Sequence, residues 1–150
     1  MKKILLILTL TFANLIYSQT NYKQIQTEKV NAQKIQIAKN FIETYLNKCQ
    51  NKDYTKFSEF KLSSEFENFL TKNLNEVCTN NEEKLGKINL KNLNSVYKDK
   101  SSLVGQNELY IFEVNTEKNK KLKYLSVWIS KQNQIDGMVI TSEKPLKKKN

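Results

Sequence analysis

Apolar residues recur every three or four positions through the first half of the chain and at alternate positions through the second, with the change falling at Gly86. Ile35, Ala38, Phe41, Ile42, Tyr45, Leu46 and Cys49 share one helical face, so the spacing predicts a helix over about 32–48 with Asn31 as its N-cap. Asn51-Lys52-Asp53 interrupts the pattern, and Asp53 is placed to cap a short second helix through Tyr54, Phe57 and Phe60. A third helix opens at Ser63-Ser64, with Ser64 and Glu67 at capping-box spacing and Phe66, Phe69, Leu70, Leu74 and Val77 along one side. Thr79-Asn80-Asn81 offers turn chemistry, which sets the expected end of that helix near Cys78. Past Gly86 the period of two predicts strands at Ile88–Lys98, Leu109–Asn115, Leu122–Ser130 and Ile135–Ser142. The links between them are too short for parallel crossovers, so the strands form antiparallel hairpins. The result is an α+β domain: three N-terminal helices packed on a curved antiparallel sheet of about four strands.

The ends of the chain read differently. Lys2 and Lys3 precede an apolar run from Ile4 to about Tyr17, and the small residue Ser18 precedes Gln19, the pattern of a cleaved secretory signal. The run is shorter than a membrane span and is broken by Thr9, Thr11 and Asn14. With Gln19 rather than cysteine after the cut, a lipid anchor is not expected, so the mature protein is expected to be soluble and periplasmic or extracellular. The resulting division is signal 1–18, linker 19–31, a single domain 32–142 and a basic disordered tail 143–150, whose one leucine gives it little to bury.

Composition then removes whole classes of chemistry. All 25 positive charges are lysine; the chain holds no arginine and no histidine. Without arginine's planar fork, specific nucleic-acid readout is not expected. Without histidine, catalytic triads, Cys-His dyads and His-based metal sites are excluded, and no metal or cofactor is expected. The three glycines, at 86, 105 and 137, build no phosphate loop or dinucleotide fingerprint. Without Lys2 and Lys3, 23 lysines face 15 acids, a net charge of +8. That charge is compatible with weak affinity for anionic phospholipid or glycan, or with a solvated surface alone.

Lys52-Asp53-Tyr54 after the first helix, Leu85-Gly86-Lys87-Ile88 entering the sheet and Gln134-Ile135-Asp136-Gly137-Met138 in the final hairpin give a chain that resembles the nuclear transport factor 2-like superfamily. Within it, the chain resembles a domain of unknown function found in secreted bacterial proteins. The resemblance spans about residues 32–142 and implies a sheet wrapped around helices to leave a conical pocket. In that superfamily the pocket serves proton transfer in some members, apolar ligand binding in many, and interaction or dimerisation in others, so the fold does not choose the function.

An isomerase-like reaction in such a cone needs a carboxylate base and a hydroxyl donor. The candidates are Glu113 or Asp136 as base, with Tyr97, Tyr110 or Tyr124 as donor; their spacing converges on no constellation. Tyr97, Tyr110, Tyr124 and Trp128 form the candidate ligand or partner surface. Alternation places Leu125, Val127 and Ile129 opposite Tyr124 and Trp128, and Trp128 either lies on the outer sheet face as a dimer or partner anchor or lines the inner cone as core. Cys49 and Cys78, an even pair in an oxidising compartment, invite a disulfide. Both sit at predicted helix C-termini, which meet only if the first and third helices run roughly parallel; the bridge and two buried free thiols both stay open. The leading functional expectation is an exported, non-enzymatic domain that binds a small apolar ligand or a protein partner. The alternatives are a His-independent acid-base pocket enzyme and a structural envelope protein that dimerises through the sheet.

Overall fold

The computed structural model describes residues 22–100 and 107–146; the expected signal with its expected cleavage point, residues 101–106 with Gly105, and residues 147–150 lie outside them. The elements run β1 (Tyr22–Gln24), a 3-10 turn (Thr27–Lys29), α1 (Ala32–Gln50), α2 (Ser64–Leu85), β2 (Ile88–Asp99), β3 (Glu108–Thr116), β4 (Tyr124–Ile129) and β5 (Ile135–Thr141). The class is α+β, with two α-helices and a five-stranded sheet in which β1-β2-β3-β4-β5 are neighbours in that order, each pair antiparallel.

Four expectations need correction. The expected linker contributes a strand: Tyr22, Lys23 and Gln24 pair with Asp99, Lys98 and Tyr97 at the sheet edge. The short second helix does not form. Instead Asp53 accepts hydrogen bonds from the Thr55 amide and hydroxyl, and Lys48 Nζ donates to Asp53 at 2.7 Å and to Thr55 at 2.8 Å. These local side-chain bonds compete with helix formation, and the lysine holds the Asp53 carboxyl well below its usual range. Further along, the Ser63 amide donates to the Ile135 carbonyl and the Ile135 amide to the Lys61 carbonyl, so this connection is recruited by the sheet.

The third correction concerns α2, which continues past Cys78 to Leu85. Thr79 turns its hydroxyl back to the Asn75 carbonyl inside the helix, and the end comes where Leu85 is buried and Gly86 adopts φ +64°, a conformation that glycine accommodates. Its N-cap is Ser63, which accepts from the Phe66 amide, and not the expected Ser64. The fourth concerns the tail: Leu146 is buried against Tyr97, Leu109 and Ile111, so the described start of the segment expected to be disordered, 143–146, covers part of the outer sheet face through that side chain.

Asn31 caps α1 as its sequence predicts, accepting from the Gln33 and Lys34 amides. The alternation of β3 and β4 divides two cores. Tyr110, Phe112, Val114, Leu125, Val127 and Ile129 face the helices; Leu109, Ile111, Tyr124 and Trp128 face the other way. Gly137 lies opposite Trp128, where the β4–β5 register shifts, in keeping with a bulge that curves the strand.

Phe41 of α1 packs against Phe57, Phe60 and Phe66 at centroid distances of 5.3, 5.3 and 5.9 Å. Twelve residues beyond Phe66, Cys78 is bridged to Cys49 with a Cα–Cα distance of 5.0 Å. Contacts at Phe41–Phe66 and Cys49–Cys78 mean that α1 and α2 run in the same general direction, which is the arrangement that lets the two thiols meet. Replacing both cysteines by alanine should lower stability by about 3 to 4 kcal/mol on the loop-entropy argument and the melting midpoint by about 10 to 15 °C. Thermal unfolding of the double variant against the oxidised protein checks this; an unchanged midpoint would show that packing alone holds the helices together.

Candidate functional site

Two helices do not close the whole inner face of a five-stranded sheet. Between α2, from Phe66 to Asn81, and the sheet lies an apolar cavity of about 240 Å³. Leu125, Met138 and Ile140 form its floor, and Phe66, Leu70 and Val77 form the wall contributed by α2. Phe69 also lines it and is 48% exposed. Among the described residues that line this cavity there is no aspartate, glutamate or lysine.

Tyr45, Asn81 and Ile88 line this cavity and also a second one of about 440 Å³. The second lies beside the disulfide: Cys49, Gln50 and Cys78 form one side, and the Gly86 turn with Glu117 and Lys118 forms the other. Hydrogen bonds tie this rim together. Lys118 donates its amide to the Leu85 carbonyl and its ammonium to the carbonyls of Glu82 and Glu83 at the end of α2, where a cation is favoured. Glu117 accepts from the Lys87 amide. A methyl group at Gly86 would come within 2.7 Å of the Glu117 carboxylate, and the φ of +64° would strain any side chain there, so glycine suits the close approach of the hairpin.

At the junction of the two cavities, Asn81 Nδ2 donates to Tyr45 Oη at 3.1 Å. Tyr45 is 3% exposed, and burial raises its phenol pKa despite that hydrogen bond. The hydroxyl therefore stays protonated and can donate into the junction. The sequence conceals this site. Tyr45 reads as one more residue of an apolar stripe, and Asn81 reads as a turn residue until α2 is seen to continue past it.

The residues singled out from sequence are distributed elsewhere. Tyr110 lies on the inner face and donates to Glu108 at 2.6 Å, while Lys34 Nζ lies 3.3 Å from the same carboxylate oxygen. Tyr110 is fully buried; burial and the neighbouring carboxylate raise its pKa. This trio lines neither cavity. Asp136 accepts from Asn107 at 2.8 Å, and its pKa is raised by partial burial, with Glu65 adding to the effect; it too lies outside both cavities. Glu113 and Tyr124 are cross-strand partners and share an outer-face cleft of about 280 Å³ with Lys91, Lys120 and Lys123. There Glu113 is exposed and accepts from Asn94. Tyr97 and Trp128 belong to the outer cluster, and Trp128 Nε1 donates to Tyr22 Oη at 3.3 Å. Among the described residues, no group of three metal-ligating side chains converges, and no helix is long and apolar enough to cross a membrane.

Two outcomes follow from this chemistry. Lys34→Met or Glu108→Gln alone should destabilise by about 3 kcal/mol, because each leaves a largely buried charge without its counter-charge, and the double variant should recover most of the loss in denaturant titrations. For the tyrosines, a folded-state pKa above the ordinary 10.0 means that the folded state holds its proton more tightly. Their contribution is complete below pH 10 and is lost as pH rises through the raised values, so stability should fall with alkalinity in step with tyrosinate absorbance. Comparison with known proteins finds no family model, no curated protein and no solved structure that matches this chain, and the functional reading therefore rests on the geometry above.

Proposed function

We propose that this chain is an exported, non-enzymatic binding domain of the nuclear transport factor 2-like kind, and that it takes a small apolar ligand between α2 and the inner sheet face. The observation that carries this reading is the apolar cavity itself. It is floored by Leu125, Met138 and Ile140, bordered by the exposed Phe69, and has one polar pair, Tyr45 and Asn81, among its lining. A concave apolar site with a few oriented polar groups is the usual form of a small-molecule pocket. The disulfide agrees with an oxidising compartment, which supports export.

The acid-base enzyme draws less support, since Glu108, Glu113 and Asp136 stand apart from the apolar cavity. Dimerisation through Trp128 also draws less, because that face is partly covered by Tyr22 and Leu146 of the same chain.

The apolar fluorophore N-phenylnaphthylamine should bind the protein with enhanced emission. Val77→Trp, which fills the cavity from α2, should weaken that binding by about tenfold or more while leaving the circular dichroism spectrum unchanged. Equal binding by a folded Val77→Trp variant would defeat the reading.

A further inference from the structure

The two cavities that share Tyr45, Asn81 and Ile88 differ in chemistry, and the difference describes a ligand. One lobe is apolar; the other presents two lysines, Lys87 and Lys118, and two glutamates, Glu82 and Glu117. Resting on the binding function proposed above, we propose that the ligand is a single-chain amphiphile with an electrically neutral head, its tail in the apolar lobe and its head beside the Cys49–Cys78 bridge.

Three features argue for this. The lobes adjoin, and their volumes of about 240 and 440 Å³ together fall within the range of pockets that enclose a small ligand. The Tyr45–Asn81 pair stands where they meet, placing a hydroxyl donor and an amide where an amphiphile carries its ester or hydroxyl. The charges around the head cancel. A carboxylate head gains from Lys87 and Lys118 but meets Glu82 and Glu117, and an ammonium head meets the reverse. A head that is uncharged, or that carries both signs, satisfies donors and acceptors without leaving a net charge opposite a like one. Lys118 is further committed to the carbonyls of Glu82 and Glu83, which weakens any claim on it by a free anion.

The test displaces N-phenylnaphthylamine from the protein with amphiphiles of one chain length, below their micelle-forming concentrations. The set comprises a monoacylglycerol, a lysophosphatidylcholine, a fatty acid and an alkyltrimethylammonium. The two neutral heads should displace the probe at concentrations about tenfold lower than the two charged ones. Glu82→Lys, at an exposed position on α2, should shift the preference toward the fatty acid by about tenfold. Because Cys49 and Cys78 line the head lobe, a bound monoacylglycerol should also slow reduction of their disulfide by dithiothreitol several-fold. Probe binding with no preference among heads, or displacement without protection of the disulfide, would overturn the amphiphile while leaving the apolar site standing. Failure of the probe itself to bind would overturn both.

Discussion

Everything on the helical side of the sheet depends on Phe41 being enclosed. Its ring is fully buried and touches Phe57, Phe60 and Phe66, which come from the connecting segment and the start of α2. A buried aromatic of this size contributes on the order of 2 to 3 kcal/mol through area alone, but its larger consequence is geometric. It draws a segment with no regular structure into the core and so carries the chain back to begin α2 beside the middle of α1. From that start the two helices run in the same general direction, Cys78 reaches Cys49, and the covalent bridge fixes what the aromatic cluster arranges. The Lys48–Asp53–Thr55 bonds serve the same end, since they fold the exit of α1 tightly enough for Phe57 to turn inward, with the Lys48 ammonium 5.3 Å from the centre of its ring.

Much of the scaffold is legible in the sequence because its signals are periodic and local. Asn31 caps α1, the alternation in β3 and β4 groups the residues that share a face while leaving open which face meets the helices, and Gly86 separates helix from sheet. The misreadings arise where tertiary structure overrides a local preference. Asp53 has the chemistry of a helix cap, yet Lys48 and Thr55 claim it. Thr79-Asn80-Asn81 has turn chemistry, yet it stays helical because Leu85, one turn further on, has a buried place to reach. Tyr22–Gln24 lacks an apolar run, yet the free edge of β2 supplies hydrogen bonds to any extended segment nearby. The candidate site was less legible than the fold for the same reason. Two of its defining residues, Asn81 and Glu82, lie on the very part of α2 that continues past a turn signal to the buried Leu85.

The two faces of the sheet divide the labour unequally. On the outer face, Trp128 and Tyr124 join a small cluster closed by Tyr22 from one end of the described chain and Leu146 from the other. Both are supplied by segments with weak sequence patterning, so an aromatic surface that suggests a partner when read from β4 alone is largely satisfied within the chain. The inner face is left incomplete, with a cavity between α2 and the strands that Phe69 and Val77 share with Met138 and Ile140. The opening thus goes with two helices over five strands.

Charge sharpens the contrast between the clefts. In a chain with 25 lysines and 15 acids, a cleft formed without constraint tends to be positive, as is the outer one, where Lys91, Lys120 and Lys123 outnumber Glu113. The lobe beside the disulfide departs from that background, and its balance follows from the way it is built. Glu117 is held by the Lys87 amide, Lys118 by the C-terminal carbonyls of α2, and both pass close to Gly86, whose φ of +64° strains any other residue. The same contacts that terminate α2 and attach the β3–β4 hairpin therefore also set the electrostatics of the pocket, tying its neutrality to the geometry of the turn and not to the average composition of the surface.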